Sequence, residues 1–345
     1  MEEKEQMDSA GQENHISEIS GSMTRLEVKQ TDASGNEVWV DAGNVQVESE
    51  LFGGRGGGTT SPMKKSLPGR LRSILAAGCQ NKSERQSKYL YRHSILDKIN
   101  TNLMIFLHGA GDTHKPFDAL GKKMSLPQTA LLSISASSCG DDTFIKLPFD
   151  LGHTWFEEMD LRTGNDLPEN HPRRLSTLDA AVIKINEIVE ALIESWIPER
   201  IFLFGFSAGA CLVMETCLYR MTNRKRPLGG AICIAGGIKR PLPKNQFSGC
   251  RSDGSLKNNK CITPILIITG SNDTRYSPSQ MENSCDVYNR YATQQCNESS
   301  SVKTYVKAKK AHSMVESPDE MKVIMEFLAE KLIKECVGPI SDFQK

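Results

Sequence analysis

Apolar residues gather in short continuous runs through the middle and end of the chain. Leu103–Leu107, Ala130–Ile134, Ile201–Phe204, Gly230–Ala235 and Pro264–Thr269 each read as a strand buried on both faces. Tyr89–Tyr91 and Val302–Val306 read as the first and last strands. A different period lies between them. Leu178, Val182, Ile185, Val189, Leu192 and Trp196 recur at helical spacing and predict a helix over Leu175–Trp196, stopped by Pro198. Ala210–Leu218 predicts another helix. Ser317-Pro318-Asp319-Glu320 spells a capping box with proline at the first helical position. It opens a helix whose apolar face includes Ile324, Phe327, Leu328 and Leu332. Strands alternating with helices predict an α/β fold, a mostly parallel central sheet with helices on both faces.

The first part of the chain follows no such pattern. Residues 1–62 are rich in Glu, Ser, Gly and Gln and end in a glycine-rich linker, Gly53–Pro62. Residues 1–50 carry twelve acidic against three basic residues, a net of −9; residues 51–100 carry ten basic against two acidic, a net of +8. Within the basic stretch Met63–Arg85, Leu71, Ile74 and Leu75 form a short stripe at helical spacing. Two readings stand: a solvated linker helix, or a weak membrane-surface contact helped by Cys79 as a lipidation candidate. Only Glu37–Leu51 alternates, weakly, as a transient strand. The expected organisation is a largely disordered extension over 1–87, a folded domain over 88–338 and a tail over 339–345. The polar stretch Pro241–Lys260 reads as a surface loop.

Composition narrows the function classes. No apolar run is long enough to span a bilayer, and Met-Glu-Glu-Lys-Glu is unlike a targeting signal, so the cytoplasm is the expected location. The ten cysteines are then read as free thiols, with Cys211, Cys217 and Cys233 as small core residues. No Cys/His cluster has zinc spacing, and no metal, cofactor or nucleic-acid partner is expected.

The chemistry centres on Gly205-Phe206-Ser207-Ala208-Gly209, where an apolar strand runs into a helix. This is the spelling of a nucleophile elbow, a sharp turn that exposes a serine at the top of a sheet. A serine hydroxyl needs a base, and the base needs an orienting acid. Asp273 follows the strand ending at Thr269, and His312 follows the strand ending at Val306. Both fall at the carboxyl edge of the sheet, and the order Ser207, Asp273, His312 is that of the α/β-hydrolases. Taken singly, Asp273 also fits an ordinary turn residue and His312 a solvated loop histidine. Two backbone amides are candidates for the oxyanion hole: Ala208, first in the helix after the elbow, and Ala110, in the loop His108-Gly109-Ala110-Gly111-Asp112. His108 reads as a buried structural histidine of that loop, not as the base.

Six short motifs then agree in order. Phe106–Asp112, His153–Phe156, Ile197–Ile201, Gly205–Gly209, Gly270–Asp273 and Ala311-His312 resemble the phospholipase/carboxylesterase family, which includes acyl-protein thioesterases and small carboxylesterases. The resemblance spans Leu103–Lys334. It implies an α/β-hydrolase fold without a large cap domain, acting without a cofactor on esters or thioesters of acyl chains, whether acylated proteins, lysolipids or small esters. By position it implies Ser207, Asp273 and His312 as the triad, the amides of Ala110 and Ala208 as the oxyanion hole, and Trp155 lining the acyl groove, where a plain core aromatic is the other reading. The family usually carries Leu at the position of Ala110 and Gln at that of Ala208. Both amides survive these changes, but acyl-chain preference does not carry over. Lysophospholipase activity is the runner-up. A non-catalytic binding protein on the same fold is disfavoured because all three triad members are present.

Overall fold

The computed structural model describes residues 27–31, 37–41, 66–77, 81–137, 144–240, 262–296 and 302–334. The chain divides into two units, Met1–Thr59 and Thr60–Lys345. In the first, β1 (Glu27–Thr31) pairs antiparallel with β2 (Glu37–Asp41), so the weak alternation near Val38 and Val40 belongs to a hairpin. The rest of the acidic stretch, the glycine-rich linker, the loop over 241–260 and the tail over 339–345 lie outside the described residues.

The second unit opens with helices α1 (Gly69–Leu75) and α2 (Lys82–Lys88), then strands β3 (Tyr89–Arg92) and β4 (Asn102–Leu107). Helix α3 (His114–Met124) leads to β5 (Thr129–Ile134) and the two-residue strands β6 (Ile145–Lys146) and β7 (His153–Thr154). The long helix α4 (Pro172–Leu192), strand β8 (Ile201–Phe206), helix α5 (Ala208–Thr222) and strand β9 (Gly230–Ile234) follow. Strand β10 (Ile265–Gly270), helix α6 (Pro278–Cys296), strand β11 (Val302–Lys307) and helix α7 (Pro318–Lys331) complete it. The main sheet runs β11-β10-β9-β8-β4-β5-β3. Every pairing is parallel except that of β3 with β5.

The continuous apolar runs are explained by two covers. On β4, Leu103, Ile105 and Leu107 point into one core, and Met104 and Phe106 into the other. The same split divides Ile201 and Leu203 from Phe202 and Phe204 on β8. Residues of α1, α4, α5 and α6 fill the first core, and residues of α3 and α7 the second. Helix α4 ends at Leu192, earlier than its apolar spacing predicts. Trp196 still reaches the core, its indole N–H donating to the Asn100 carbonyl at 3.1 Å.

Helix α1 lies ahead of the boundary expected near Lys88. Leu67, Leu71 and Leu75 are buried in the first core, and α1 packs on α4. The basic residues Arg70 and Arg72 lie on the solvent side of the same helix. The stripe faces the core, where burying each leucine is worth about 1.5–3 kcal/mol; Cys79 lies outside the described residues. Among the described residues no helix is long and apolar enough to cross a membrane.

Candidate active site

Strand β8 delivers Ser207 to the carboxyl edge of the sheet, and α5 starts on the next residue. Ser207 takes φ 52° and ψ −119°, a conformation that ordinary side chains avoid. The turn is held by the Ser207 amide donating to the Ile234 carbonyl at 2.9 Å. It demands glycine on either side. A Cβ on Gly205 would fall 2.4 Å from the Gly209 carbonyl oxygen, and one on Gly209 would fall 2.3 Å from the Leu107 carbonyl oxygen. The spelling of the pentapeptide is thus a packing requirement of strand, helix and neighbouring strand together.

Asp273 and His312 lie in the loops after β10 and β11. These loops are sewn to each other: Ser271 N donates to Lys307 O at 2.9 Å, Asn272 N to Lys310 O at 2.9 Å, and Lys309 N to the Ser271 hydroxyl at 2.8 Å. His312 Nδ1 lies 3.0 and 2.9 Å from the two Asp273 carboxylate oxygens, and His312 Nε2 lies 2.8 Å from Ser207 Oγ. A carboxylate only accepts, so Nδ1 carries the proton and Nε2 is free to accept from the serine hydroxyl. The Asp273 side chain is fully buried, and the Arg275 and Tyr276 amides donate to its Oδ1 at 2.9 and 2.8 Å. Sequence order alone had aligned these three residues; the fold brings them together in one hydrogen-bonded chain.

The loop after β4 lies beside Ser207. A Cβ on Gly109 would be 3.5 Å from Ser207 Cβ. Ala110 is exposed, and its amide has no acceptor among the described residues. The Ala208 amide, first in α5, has no intrahelical acceptor and sits at the positive end of the helix dipole. Several bonds fix the loop: Gly111 N donates to His153 O at 2.9 Å, and Asp112 N to Gly109 O at 3.2 Å. His108 is fully buried, as its reading as a structural residue expects. Its Nδ1–H donates to Gly109 O at 2.6 Å, and its Nε2 accepts from Ala136 N at 2.9 Å. Burial brings its pKa down to about 4, so it bridges the ends of β4 and β5 as a neutral ring.

Trp155 takes the place of a core aromatic, the other reading of it. It has no exposed area, so it cannot line an open acyl groove. Its indole N–H donates to the His108 carbonyl at 2.7 Å, and its ring packs 5.0 Å from His108 and 4.9 Å from Phe144. It braces the loop after β4 from behind. The sequence reading also passed over Tyr276, whose amide orients Asp273 while its hydroxyl donates to Ser284 on α6 at 2.8 Å. An aromatic three residues past the acid was the available signal.

Comparison with known proteins places the chain in a family. Residues 96–332 match the family model described as phospholipase/carboxylesterase. An uncharacterized hydrolase of Mycosarcoma maydis is 30% identical over 142 residues, 41% of this chain and 50% of that protein. A probable carboxylesterase of Oryza sativa subsp. japonica is 25% identical over 149 residues, 40% of this chain and 50% of that protein. The chain thus spans about half the length of these curated relatives. Among solved structures, esterase PE8 superposes with a TM-score of 0.52 at 19% identity, covering 71% of this chain and 99% of that one. Acyl-protein thioesterase 2 of Zea mays gives 0.52 at 17% identity, again over 71% of this chain and 99% of that one. With the family model covering most of the folded unit, the chain belongs to the phospholipase/carboxylesterase family of α/β-hydrolases.

Proposed function

We propose that this protein is a serine hydrolase that cleaves carboxylic esters or thioesters of acyl chains through an acyl-enzyme intermediate. The observation that carries the reading is the unbroken hydrogen-bond chain from Ser207 Oγ through His312 to Asp273, with the serine at a strained turn. In the forward step Ser207 Oγ attacks the acyl carbonyl carbon and its proton passes to His312 Nε2. Asp273 keeps the ring in the required tautomer and faces the positive charge that forms on it. The amides of Ala110 and Ala208 receive the oxyanion. The leaving alcohol or thiol departs, protonated from His312 where its basicity requires it. Water then attacks the acyl-serine with His312 as base and releases the carboxylic acid.

Substrates are acyl esters or thioesters, on a protein, a lysolipid or a small alcohol. Support for this class comes from the family and from the names of an esterase and a thioesterase of like fold. The test uses the purified full chain with p-nitrophenyl esters and acyl thioesters of graded length, alongside a fluorophosphonate probe. Turnover with covalent labelling of Ser207 is expected. Absence of both from folded protein sinks the proposal.

A further inference from the structure

The loop that carries His312 is wrapped around a buried ion pair. Lys310 is 4% exposed, and Glu320, in the first turn of α7, has no exposed area. The Lys310 ammonium donates to Glu320 Oε1 and, at 2.8 Å, to the Met314 carbonyl. One side chain therefore joins the two residues that bracket His312 and fastens both to α7. The other carboxylate oxygen, Glu320 Oε2, accepts from the Glu316 and Ser317 amides, each at 3.1 Å, and from the Ser317 hydroxyl at 3.0 Å. The Lys310 main chain faces the acid loop. Its carbonyl accepts from Asn272 N at 2.9 Å, and a Cβ on Gly270 would fall 2.0 Å from that oxygen.

The lysine is not needed to close α7. The capping box between Ser317 and Glu320 satisfies the helix end by itself. Nor is a buried ammonium a cheap way to fill space, because desolvating it opposes folding unless it is fully paired. All of its described contacts fall on the segment from 310 to 320, around the base. Burial works to raise the Glu320 pKa, but the Lys310 hydrogen bond and the Glu316 and Ser317 donors bring it below the ordinary value, so the carboxylate stays charged.

We propose that the buried Lys310–Glu320 pair is a positioning device for His312, holding the imidazole within hydrogen-bond distance of Ser207 and Asp273 at once. This rests on the reading of those three residues as the hydrolytic machinery. Lys310 touches neither substrate nor the reacting atoms, and it acts by fixing the loop. Without the bridge from 310 to 314 the base shifts, and a misplacement of about 1 Å costs about 10²-fold in rate.

The experiment uses the full chain with Lys310→Met and with Lys310→Met/Glu320→Gln. The single variant leaves Glu320 buried and unpaired, which by itself destabilises. The double variant removes both charges and keeps an acceptor for the α7 cap. The readouts are kcat and KM on a p-nitrophenyl ester, the melting temperature, and the low-field proton signal of His312 Nδ1–H against Asp273. For the double variant, near wild-type melting is expected, with kcat lowered about 10- to 100-fold and KM changed less than about threefold. The low-field signal should be broadened or lost. A folded double variant with wild-type kcat and an intact signal overturns the proposal. So does a double variant that cannot fold, since the pair would then serve the fold and not the base. The signal needs no turnover, so it tests the pair even if wild-type protein hydrolyses nothing, an outcome that defeats the hydrolase reading alone.

Discussion

Ser207 stores backbone strain at the proposed point of chemistry. Its φ of 52° and ψ of −119° cost about 1–3 kcal/mol, held in place by the crossing of β8, α5 and β4. Ser207→Ala keeps that strain and loses the nucleophile, so activity should fall by about 10⁴-fold or more with little change in melting temperature. Ser207→Gly should be as inactive yet melt higher, by about 1 kcal/mol of relieved strain; equal melting of the two variants would mean that the turn is unstrained. Asp273→Asn should cost about 10⁴-fold, because an amide no longer fixes the Nδ1–H tautomer. His108 sets an acid limit on the fold. Its pKa is about 4 when folded, against 6.5 for an unburied ring. Between those values the unfolded chain takes up a proton that the folded chain refuses. Stability is therefore lost as pH falls from 6.5 toward 4, by about 3 kcal/mol in all. His108→Asn, which does not titrate, should lower stability at neutral pH but flatten that slope in thermal melts. Ser207, Asp273 and His312 stand out in the sequence because serine hydrolysis, the proposed chemistry, demands those types in that order after strand ends. Trp155 and Lys310 do not, since local sequence does not tell which side of a loop a side chain faces or which residue ten positions on will meet it.

Elements differ in how clearly the chain announces them. Strands β4, β5, β8, β9 and β10 are covered on both faces, so nearly every position is apolar and the runs stand out. Helix α6 was unread because its exposed face supplies Asn, Gln, Asp and Arg. Its buried Met281, Ser284, Val287, Tyr288 and Ala292 keep a helical period, with serine in place of an aliphatic. Helix α1 was misread for a related reason: seven residues with two buried leucines give a faint stripe, and the basic surroundings outweighed it. Its packing makes a clear prediction. Leu71→Ala should destabilise the folded unit by about 2–5 kcal/mol in denaturant unfolding. Arg72→Ala on the exposed side should change it by less than about 0.5 kcal/mol. Equal small effects would detach α1 from the core.

For the whole molecule, the compact unit over Thr60–Lys345 sets where the chain can be shortened. A chain starting at residue 60 should fold and hydrolyse a short soluble ester at the full-length rate. One starting at Lys88 should lose both, because Leu67, Leu71 and Leu75 leave the core. Equal activity of the two would restore the later boundary. The strand order β11-β10-β9-β8-β4-β5-β3 also bears on how the protein is made. Once β3, β4 and β5 have left the ribosome, each later strand meets a partner already synthesised: β8 joins β4, β9 joins β8, β10 joins β9, and β11 joins β10. The nascent sheet therefore grows at one margin, and until the end that margin is a mostly apolar strand open to pairing with a neighbouring nascent chain. Only β11, with Lys303 and Thr304 exposed, closes it with a polar strand. His312 follows just behind, so translation finishes the proposed hydrolytic site and seals the sticky margin within the same few residues.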